Sequence, residues 1–341
     1  MLQRALILPS AVPLSPDALF EWGLFKILLE QVAINGLLVV DREKTIWDEI
    51  RSRIRRQAPA EAERSLQDIM KVLQKPEYKR RLVHPEWIVA VEPGEWNGGG
   101  VIEVFSDVTP IRVDCLVTGP QWTARPIGKS TFETGCPVDS SVTLSDLAFN
   151  GLYAKMHASE YVIGETDKQT IKAAVFEPVF RNAARLDIFD QYIGKDWDNS
   201  HQIKGNYQTG IIELVDILCE ATHSTDDLAI NIYTYVDETM ETAVRGLASD
   251  LAVRARDKLV RRAGTPEPSI VSTVHCKQGS RHDARHNRYL GTEQVVIAID
   301  KGADVIQQRR VFGSDFVIVK DRTKFDKVIN TGFQQLISYS Y

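Results

Sequence analysis

The stretch that decides the predicted fold is His286-Asn287-Arg288-Tyr289-Leu290-Gly291-Thr292-Glu293, which the apolar run Val295–Ile299 and then Asp300-Lys301-Gly302 follow. It places a histidine, a permanent cation and a carboxylate beside a predicted β-strand. Arg288 follows His286 by two residues, so both side chains should lie on one face of that strand. An imidazole can act on a phosphodiester as nucleophile, base or acid, and a guanidinium can bind two phosphate oxygens. The stretch therefore predicts a phosphate-facing strand.

Length and composition indicate a two-domain globular protein. A chain of 341 residues exceeds what one hydrophobic core usually supports. The net charge of −5 excludes a uniformly basic nucleic-acid binder but not a local basic patch. We see no signal peptide and no long apolar span, so we expect a cytosolic protein without membrane insertion. The four cysteines are scattered, which argues against a structural zinc site or a disulfide framework.

Hydrophobic patterning predicts an N-terminal α/β domain, residues 1–150, and a second domain, residues 151–341. Ser15 is the predicted N-cap of the first helix, with Pro16 at its first position. The predicted N-terminal strands are 4–8, 37–40, 87–91 and 101–105, and the predicted helices are 17–32, 45–56 and 60–74.

The pattern after residue 167 predicts a largely parallel sheet with helical crossovers, completed by added hairpins. The predicted helices of this half are 168–184, 210–221, 238–262 and 325–337. The predicted strands are 186–190, 229–235, 269–276, 288–290, 294–299 and 316–320.

A hairpin would bring two histidines together. The polar segment 280–285 links strand 269–276 to the strand that His286 begins. If that segment closes a hairpin, His275 and His286 become cross-strand neighbours with Cβ atoms about 4.5–5.5 Å apart. Two imidazoles at that distance could share a phosphate, one as nucleophile or base and the other as acid.

The pattern H-x-R-x-x-x-x-E is similar to the H-x-K-x-x-x-x-D signature of the phospholipase D superfamily. The longer run, from His286 to Asp304, resembles a subgroup that includes the C-terminal domain of MIT-domain proteins and related domains in bacterial defence-type genes. Leu186-Asp187-Ile188-Phe189-Asp190-Gln191-Tyr192 fits the first strand of that subgroup. The resemblance covers about residues 165–340 and implies a phospholipase-D-like mixed sheet flanked by helices.

In catalytic members of this superfamily the histidine forms a phosphohistidine, so the resemblance implies that role for His286. Arg288 would then hold the phosphate, and Glu293 would orient an imidazole. Catalytic members carry two such motifs, whereas this chain has one, so His275 or a second subunit would supply the acid. The Gly-Ser pair that usually follows closely is found only at Gly313-Ser314. Alternatively, His286 and Arg288 bind neighbouring carbonyls and carboxylates, such as Asp190 or Asp300.

A basic zone surrounds this strand. Predicted helix 238–262 ends with several cations, and more follow the next strand; the candidate ligand-binding residues are Arg254, Lys258, Arg261, Lys277, Arg281 and Arg285. An anionic partner would explain this zone. Cations at a helix C-terminus are also favoured by the helix dipole, which explains several of them without a ligand.

Carboxylates in the N-terminal half allow a metal-site alternative. Asp41 ends a predicted strand, and Asp48, Glu49 and Asp68 lie on the next two helices, which is loosely similar to Mg²⁺-dependent nucleases of the PIN type. The same carboxylates could instead cap helices or pair with Arg51, Arg53, Arg55 and Arg56. We predict no metal and no cofactor.

These observations predict a module that binds nucleic acid or another phosphate-bearing ligand, without turnover, within a larger assembly. The resemblance associates that assembly with bacterial defence. One alternative is a metal-independent phosphodiesterase or nuclease that uses His286. A further alternative is a protein–protein scaffold, and a homodimer is compatible with all three.

Overall fold

The computed structural model describes residues 3–41, 45–74, 81–84, 100–105, 115–119, 121–127, 143–144, 160–163, 168–181, 183–222, 227–260, 269–278, 288–299, 302, 314–319 and 322–341. The chain divides into two units, Leu2–Ala158 and Ser159–Tyr341. None of the described helices is long and apolar enough to cross a membrane.

The first unit contains a four-stranded parallel sheet of order β3-β2-β1-β5 and a two-stranded parallel sheet, β4-β6. Its strands are β1 (Gln3–Ile7), β2 (Gly36–Asp41), β3 (Arg81–His84), β4 (Gly100–Phe105), β5 (Cys115–Val117) and β6 (Trp122–Ile127). Its helices are α1 (Leu19–Asn35), α2 (Thr45–Gln57) and α3 (Ala60–Gln74). The apolar strands β1 and β2 pack with α1 in a buried core because parallel strands are covered on both faces.

The sequence-based prediction for this unit is corrected at helix α1 and at three strands, β3, β5 and β6, which were not predicted. Helix α1 begins at Leu19, not Asp17, because the Ser15 hydroxyl accepts a hydrogen bond from the Asp17 amide (3.2 Å) in a turn that precedes the helix. Strand β3 was not predicted, since its sequence Arg-Leu-Val-His is short and half polar. The predicted strand 87–91 lies outside the described residues.

The second unit contains an eight-stranded sheet of order β14-β10-β9-β8-β11-β12-β13-β7. Its strands are β7 (Glu160–Ile163), β8 (Arg185–Phe189), β9 (Leu228–Tyr235), β10 (Ile270–Lys277), β11 (Arg288–Gly291), β12 (Val296–Ile299), β13 (Ser314–Ile318) and β14 (Gln334–Ser340). Its helices are α4 (Lys168–Ile171), which a π-helical segment (Lys172–Phe176) joins to α5 (Glu177–Phe180), then α6 (Gly205–Ala221), α7 (Glu241–Val260) and α8 (Arg322–Asn330).

The sheet is mixed, as predicted. Strands β8, β9 and β10 are parallel and are linked through α6 and α7, whereas β11, β12, β13, β7 and β14 pair antiparallel. Alternation along the strands gives the sheet two different faces. One face carries buried aliphatic side chains such as Leu186, Ile230 and Val274, and α7 packs on β10 and β14 at this face. The other face is aromatic and polar, and α8 covers part of it with Phe325 and Ile329.

The predicted hairpin between the two histidine-bearing strands is wrong. Strand β10 is occupied on one edge by β9 and on the other by β14, so it has no free edge for β11. Strands β9 and β8 lie between β10 and β11, which separates the two strand axes by about 14 Å at the usual spacing.

The predicted C-terminal helix 325–337 is also corrected, because the chain forms helix α8 and then strand β14. Gly332 has φ +75°, a left-handed conformation that ends helices and that glycine adopts without strain. Beyond it, the sequence Gln334–Ser340 runs antiparallel to β10.

Candidate phosphate-binding site

The aromatic and polar sheet face contains His275 in a row of aromatic rings. Register places His275 beside Tyr233, Tyr233 beside Phe189, and Phe189 beside Tyr289. The His275 and Tyr233 rings are stacked at 4.6 Å with an interplanar angle of 9°. Burial lowers the pKa of His275, and the charge of Arg185 acts in the same direction, although Asp187 opposes both. His275 is therefore a neutral, half-buried imidazole within the sheet face.

A buried carboxylate lies one residue pair further along this face. The Asp187 side chain is fully buried, and its Oδ1 accepts hydrogen bonds from Arg185 Nε (2.8 Å) and Asn231 Nδ2 (2.9 Å). Arg185 also interacts with Tyr233. Because a buried carboxylate is stabilised only when it is paired, this polar group fixes β8 against β9.

Arg288 and the row of aromatic rings lie on opposite faces of the sheet, since Tyr289, the next residue of β11, points to the His275 face. Its Nε is 3.4 Å from Asp190 Oδ2, and its guanidinium carbon is 5.0 Å from the centre of the Tyr192 ring. Gly302 has φ +77°, and a Cβ there would be 2.4 Å from Asp190 Oδ2 and 2.6 Å from Arg288 Cδ. Glycine at 302 therefore makes room for the Arg288–Asp190 pair.

Arg288 belongs to a surface row of alternating cations and aromatic rings at the carboxyl end of β8. The Tyr192 ring is 5.8 Å from the Trp197 ring. Lys195 Nζ and Lys204 Nζ lie 4.2 Å and 5.1 Å from the Trp197 ring centre. Trp197 keeps 42% of its surface exposed. We call Arg288, Tyr192, Trp197, Lys195 and Lys204 the cation–aromatic row.

The loop that carries Trp197 is held by its own carboxylates. Asp196 Oδ2 accepts from Thr239 Oγ1 (3.1 Å) and lies 2.7 Å from His201 Nδ1. Burial opposes ionisation of Asp196, but the hydrogen bonds from His201 and Thr239 outweigh it and lower its pKa. Asn199 and His201 both have positive φ, 56° and 59°. Non-glycine residues hold this conformation when surrounding contacts determine it, so the loop fixes the position of Trp197.

The carboxylates near the cation–aromatic row accept hydrogen bonds from backbone amides of the protein itself. Asp190 Oδ1 accepts from the Tyr192 amide (3.0 Å), and Asp237 Oδ2 accepts from the Asp196 amide (3.0 Å). Within the described part of the chain, no carboxylate forms an ion pair with Lys195 or Lys204. The two lysines therefore keep their charges available at the surface.

Glu293 has a structural role at the start of β8. Its two carboxylate oxygens accept hydrogen bonds from the backbone amides of Ala184 (2.8 Å) and Arg185 (3.1 Å). The Arg185 amide begins β8 and Ala184 precedes it, whereas Asp190, which binds Arg288, follows the last residue of β8. The two ends are about 13 Å or more apart along the strand, so Glu293 lies at the opposite end of β8 from Arg288 and His275.

The predicted basic zone is largely neutralised where the structure describes it. Arg254 forms a bidentate ion pair with Asp216 (2.8 and 2.7 Å), and Lys258 Nζ is 3.0 Å from Glu220 Oε1. Lys172 also binds Glu220 and, with Lys258, lowers the pKa of that carboxyl. The acidic partners lie on α6, which faces α7, so Arg254 and Lys258 stabilise helix packing. Lys277, at the end of β10, lies 5.8 Å from the Tyr235 ring centre.

Four predicted site residues, His286, Arg261, Arg281 and Arg285, and also Asp300, lie outside the described residues. Of those described, the structure does not bring His275 and Arg288 together, because they occupy opposite faces of strands three spacings apart. Cys276 is half-buried, and burial, followed by the charge of Glu241, raises the pKa of its thiol to about 12. It is therefore an unreactive thiol.

Three of the four carboxylates considered for a metal site, those on helices α2 and α3, are bound to cations of their own helices. Glu49 binds Arg53 (2.9 Å) and Arg56 (3.3 Å), and Asp48 lies 3.5 Å from Arg51. Asp68 pairs with Lys71, which lowers the pKa of Asp68. No group of three metal-binding side chains occurs among the residues that the structure describes.

Sequence reasoning missed most of the residues that the structure groups together. Arg185, Asp187, Asn231 and Tyr233 alternate with buried aliphatic residues along β8 and β9, and this period of two was a usable signal for a polar sheet face. The interleaved run Tyr192 to Lys204, with Lys195 and Trp197, was a usable signal for the cation–aromatic row.

Comparison with known proteins leaves the family open. No protein-family model and no curated protein matches the chain. Among solved structures, the chain is similar to TrmBL2, described as an archaeal chromatin protein with a novel mode of DNA binding, at 13% identity and a TM-score of 0.21. The match covers 55% of this chain and 58% of that one. A TM-score this low does not establish a shared fold.

Proposed function

We propose that the second unit is a phosphate-recognising module of phospholipase-D-like fold that binds single-stranded nucleic acid without turnover. The observation that carries this proposal is the cation–aromatic row. An exposed Trp197 offers a ring on which a base can stack, and Lys195 and Lys204 beside it can bind backbone phosphates. A phosphate group alone would not need the tryptophan, so the row favours a ligand with both bases and phosphates.

The position of the row supports the same proposal. It lies beyond the carboxyl end of β8, one of three parallel strands, and ligands of parallel sheets bind at this edge. Arg288 of the predicted motif extends the row through Tyr192. Its side chain is 17% exposed, so it reaches the surface while Asp190 holds it in position.

Binding of labelled single-stranded DNA and RNA, measured by mobility shift at two salt concentrations, tests the proposal. Trp197→Ala should weaken binding about fivefold or more, because base–aromatic stacking contributes about 1–3 kcal/mol per base. Lys195→Gln and Lys204→Gln should each weaken binding and reduce its salt dependence by about one phosphate contact.

Two substitutions in the first unit serve as matched controls. Phe20→Ala removes an aromatic ring that is 62% exposed, and Lys71→Gln removes an exposed lysine. Both should retain wild-type affinity. Absence of salt-sensitive binding to every single-stranded probe would reject the proposal and favour a protein–protein scaffold.

A second candidate function is metal-independent hydrolysis of a phosphodiester by His286. The observation that favours it is the imidazole of His201, which lies in the same loop as Trp197 and could act together with His286. His201 is 60% exposed and is oriented by Asp196, an arrangement that prepares an imidazole for proton transfer.

Nuclease activity in the presence of EDTA separates this candidate from binding alone. If hydrolysis occurs, His286→Ala should abolish it, and His201→Ala should lower it by about a hundredfold, the lower range for acid–base catalysis. No EDTA-resistant activity in the wild type leaves binding alone. Activity that EDTA removes and that His286→Ala retains would point to Asp41 and its neighbours.

A further inference from the structure

Strand β14 forms one edge of the eight-stranded sheet. Among the described residues, it pairs only with β10. Its seven residues, Gln-Gln-Leu-Ile-Ser-Tyr-Ser, contain neither a charge nor a proline. Edge strands usually carry lysine, proline or inward-pointing charges that prevent pairing with another chain. The outer edge of β14 lacks these protections.

The hydrogen-bond pattern identifies which backbone groups point outward. Ile270 and Tyr341 exchange both of their amide–carbonyl bonds at 2.9 Å. In an antiparallel pair such residues alternate with residues whose backbone groups point away from the partner strand. Register places Ser340 opposite Val271 and Ser338 opposite Thr273. The amides and carbonyls of Ser338 and Ser340 therefore point away from β10.

This edge is complementary to itself. If two copies of β14 pair antiparallel about a two-fold axis at Tyr339, Ser338 of each copy lies opposite Ser340 of the other, and about four interchain hydrogen bonds form. The same register places Tyr339 opposite Tyr339 and Ile337 opposite Tyr341. Cross-strand aromatic and aliphatic pairs of this kind stabilise sheets. Tyr341, which is 49% exposed, would become covered.

Charge and local geometry also suit a second copy. Because Gln334–Ser340 is uncharged, the paired strands contribute no like charges of their own. The register shift between Val274 and His275 is confined to the beginning of β14, so residues 337–341 run regularly along the edge.

We propose that this protein forms a two-fold symmetric dimer in which the β14 strands of two copies pair edge to edge and join both sheets. The proposal does not depend on the ligand of the cation–aromatic row. The occupant is a second copy of this chain, and the contact is isologous, which closes the assembly at two copies.

Sedimentation of the full chain over a wide concentration range tests the dimer. The wild type should sediment as a dimer. Ser338→Pro removes an outward-pointing amide and no backbone hydrogen bond to β10; it also removes the hydroxyl contact between Ser338 and Thr273 (3.0 Å). It should raise the dimer dissociation constant about tenfold or more. Ser338→Thr keeps the amide and should remain dimeric. A wild type that is monomeric at every concentration would overturn the proposal and leave the edge to another protein.

A charge-swap pair tests the register without proline. Ser338→Lys with Ser340→Lys places like charges opposite each other and should yield monomers. Ser338→Lys with Ser340→Glu places opposite charges across the axis and should restore the dimer. Equal dimerisation of both double variants would contradict this interface. Circular dichroism confirms that each variant is folded, and Tyr339→Pro, which loses an inner hydrogen bond to β10, should lower Tm as a control.

Discussion

At the scale of single residues, the surroundings of His275 determine how stability depends on pH. Burial lowers the pKa of His275 from 6.5, so below that pH the unfolded chain binds more protons than the folded one. The contribution of His275 to stability is therefore complete above about pH 6.5 and is lost as the pH falls toward the folded-state pKa. The change that His275 causes in the free energy of unfolding cannot exceed that of one proton, about 1.4 kcal/mol per pH unit.

His275→Phe should reduce the loss of stability between pH 7.5 and pH 5, because phenylalanine can keep the stacking on Tyr233 and does not titrate. Urea unfolding at several pH values measures this change. Thr273→Val changes a non-titrating residue of the same sheet face and should retain the wild-type pH dependence. An unchanged pH dependence in His275→Phe would show that this imidazole contributes nothing to the slope.

At the scale of elements, Glu293 fastens the turn between β11 and β12 to the first residues of β8. Both of its oxygens accept backbone hydrogen bonds, and hydrogen bonds to charged groups contribute about 1.5–3 kcal/mol each. Glu293→Ala should therefore lower the free energy of unfolding by about 3 kcal/mol or more, since two such bonds are lost. Denaturant titration measures this loss.

Asp250→Ala provides the comparison for Glu293→Ala, because Asp250 is an exposed carboxylate on α7. It should change stability far less. Equal losses in the two variants would mean that the Glu293 hydrogen bonds do not fasten β8. Nucleic-acid binding by folded Glu293→Ala should match the wild type, since Glu293 lies at the opposite end of β8 from the cation–aromatic row.

At the scale of the whole molecule, the division between Ala158 and Ser159 predicts that the second unit folds alone. All eight strands of its sheet lie within residues 160–340, so removing the first unit breaks none of their pairings. The fragment 159–341 should unfold in one cooperative transition and should keep the nucleic-acid affinity of the full chain. Circular dichroism and mobility shift measure both properties. A fragment without a cooperative transition would contradict this independence.

The sequence by itself determined the local elements. Apolar runs and helical periodicity predicted β8, β9, β10, α6 and α7 within a few residues, except that α6 begins five residues earlier than predicted. The turn at Gly332 was not predicted, since the predicted helix 325–337 continued through that residue. Elements are predictable because hydrophobic period and helix propensity act between residues close in sequence.

Only the tertiary structure decided which elements are neighbours. The sequence placed His275 and Arg288 near one another, but β9 and β8 lie between their strands. It showed the cations of α7 without the carboxylates of α6 that bind them. Strand pairing and helix packing join residues far apart along the chain, and a free energy summed over the whole sheet selects them. The motif that contains Arg288 was therefore visible in the sequence, whereas the neighbours of Arg288, Asp190 and Tyr192, were decided only by the tertiary structure.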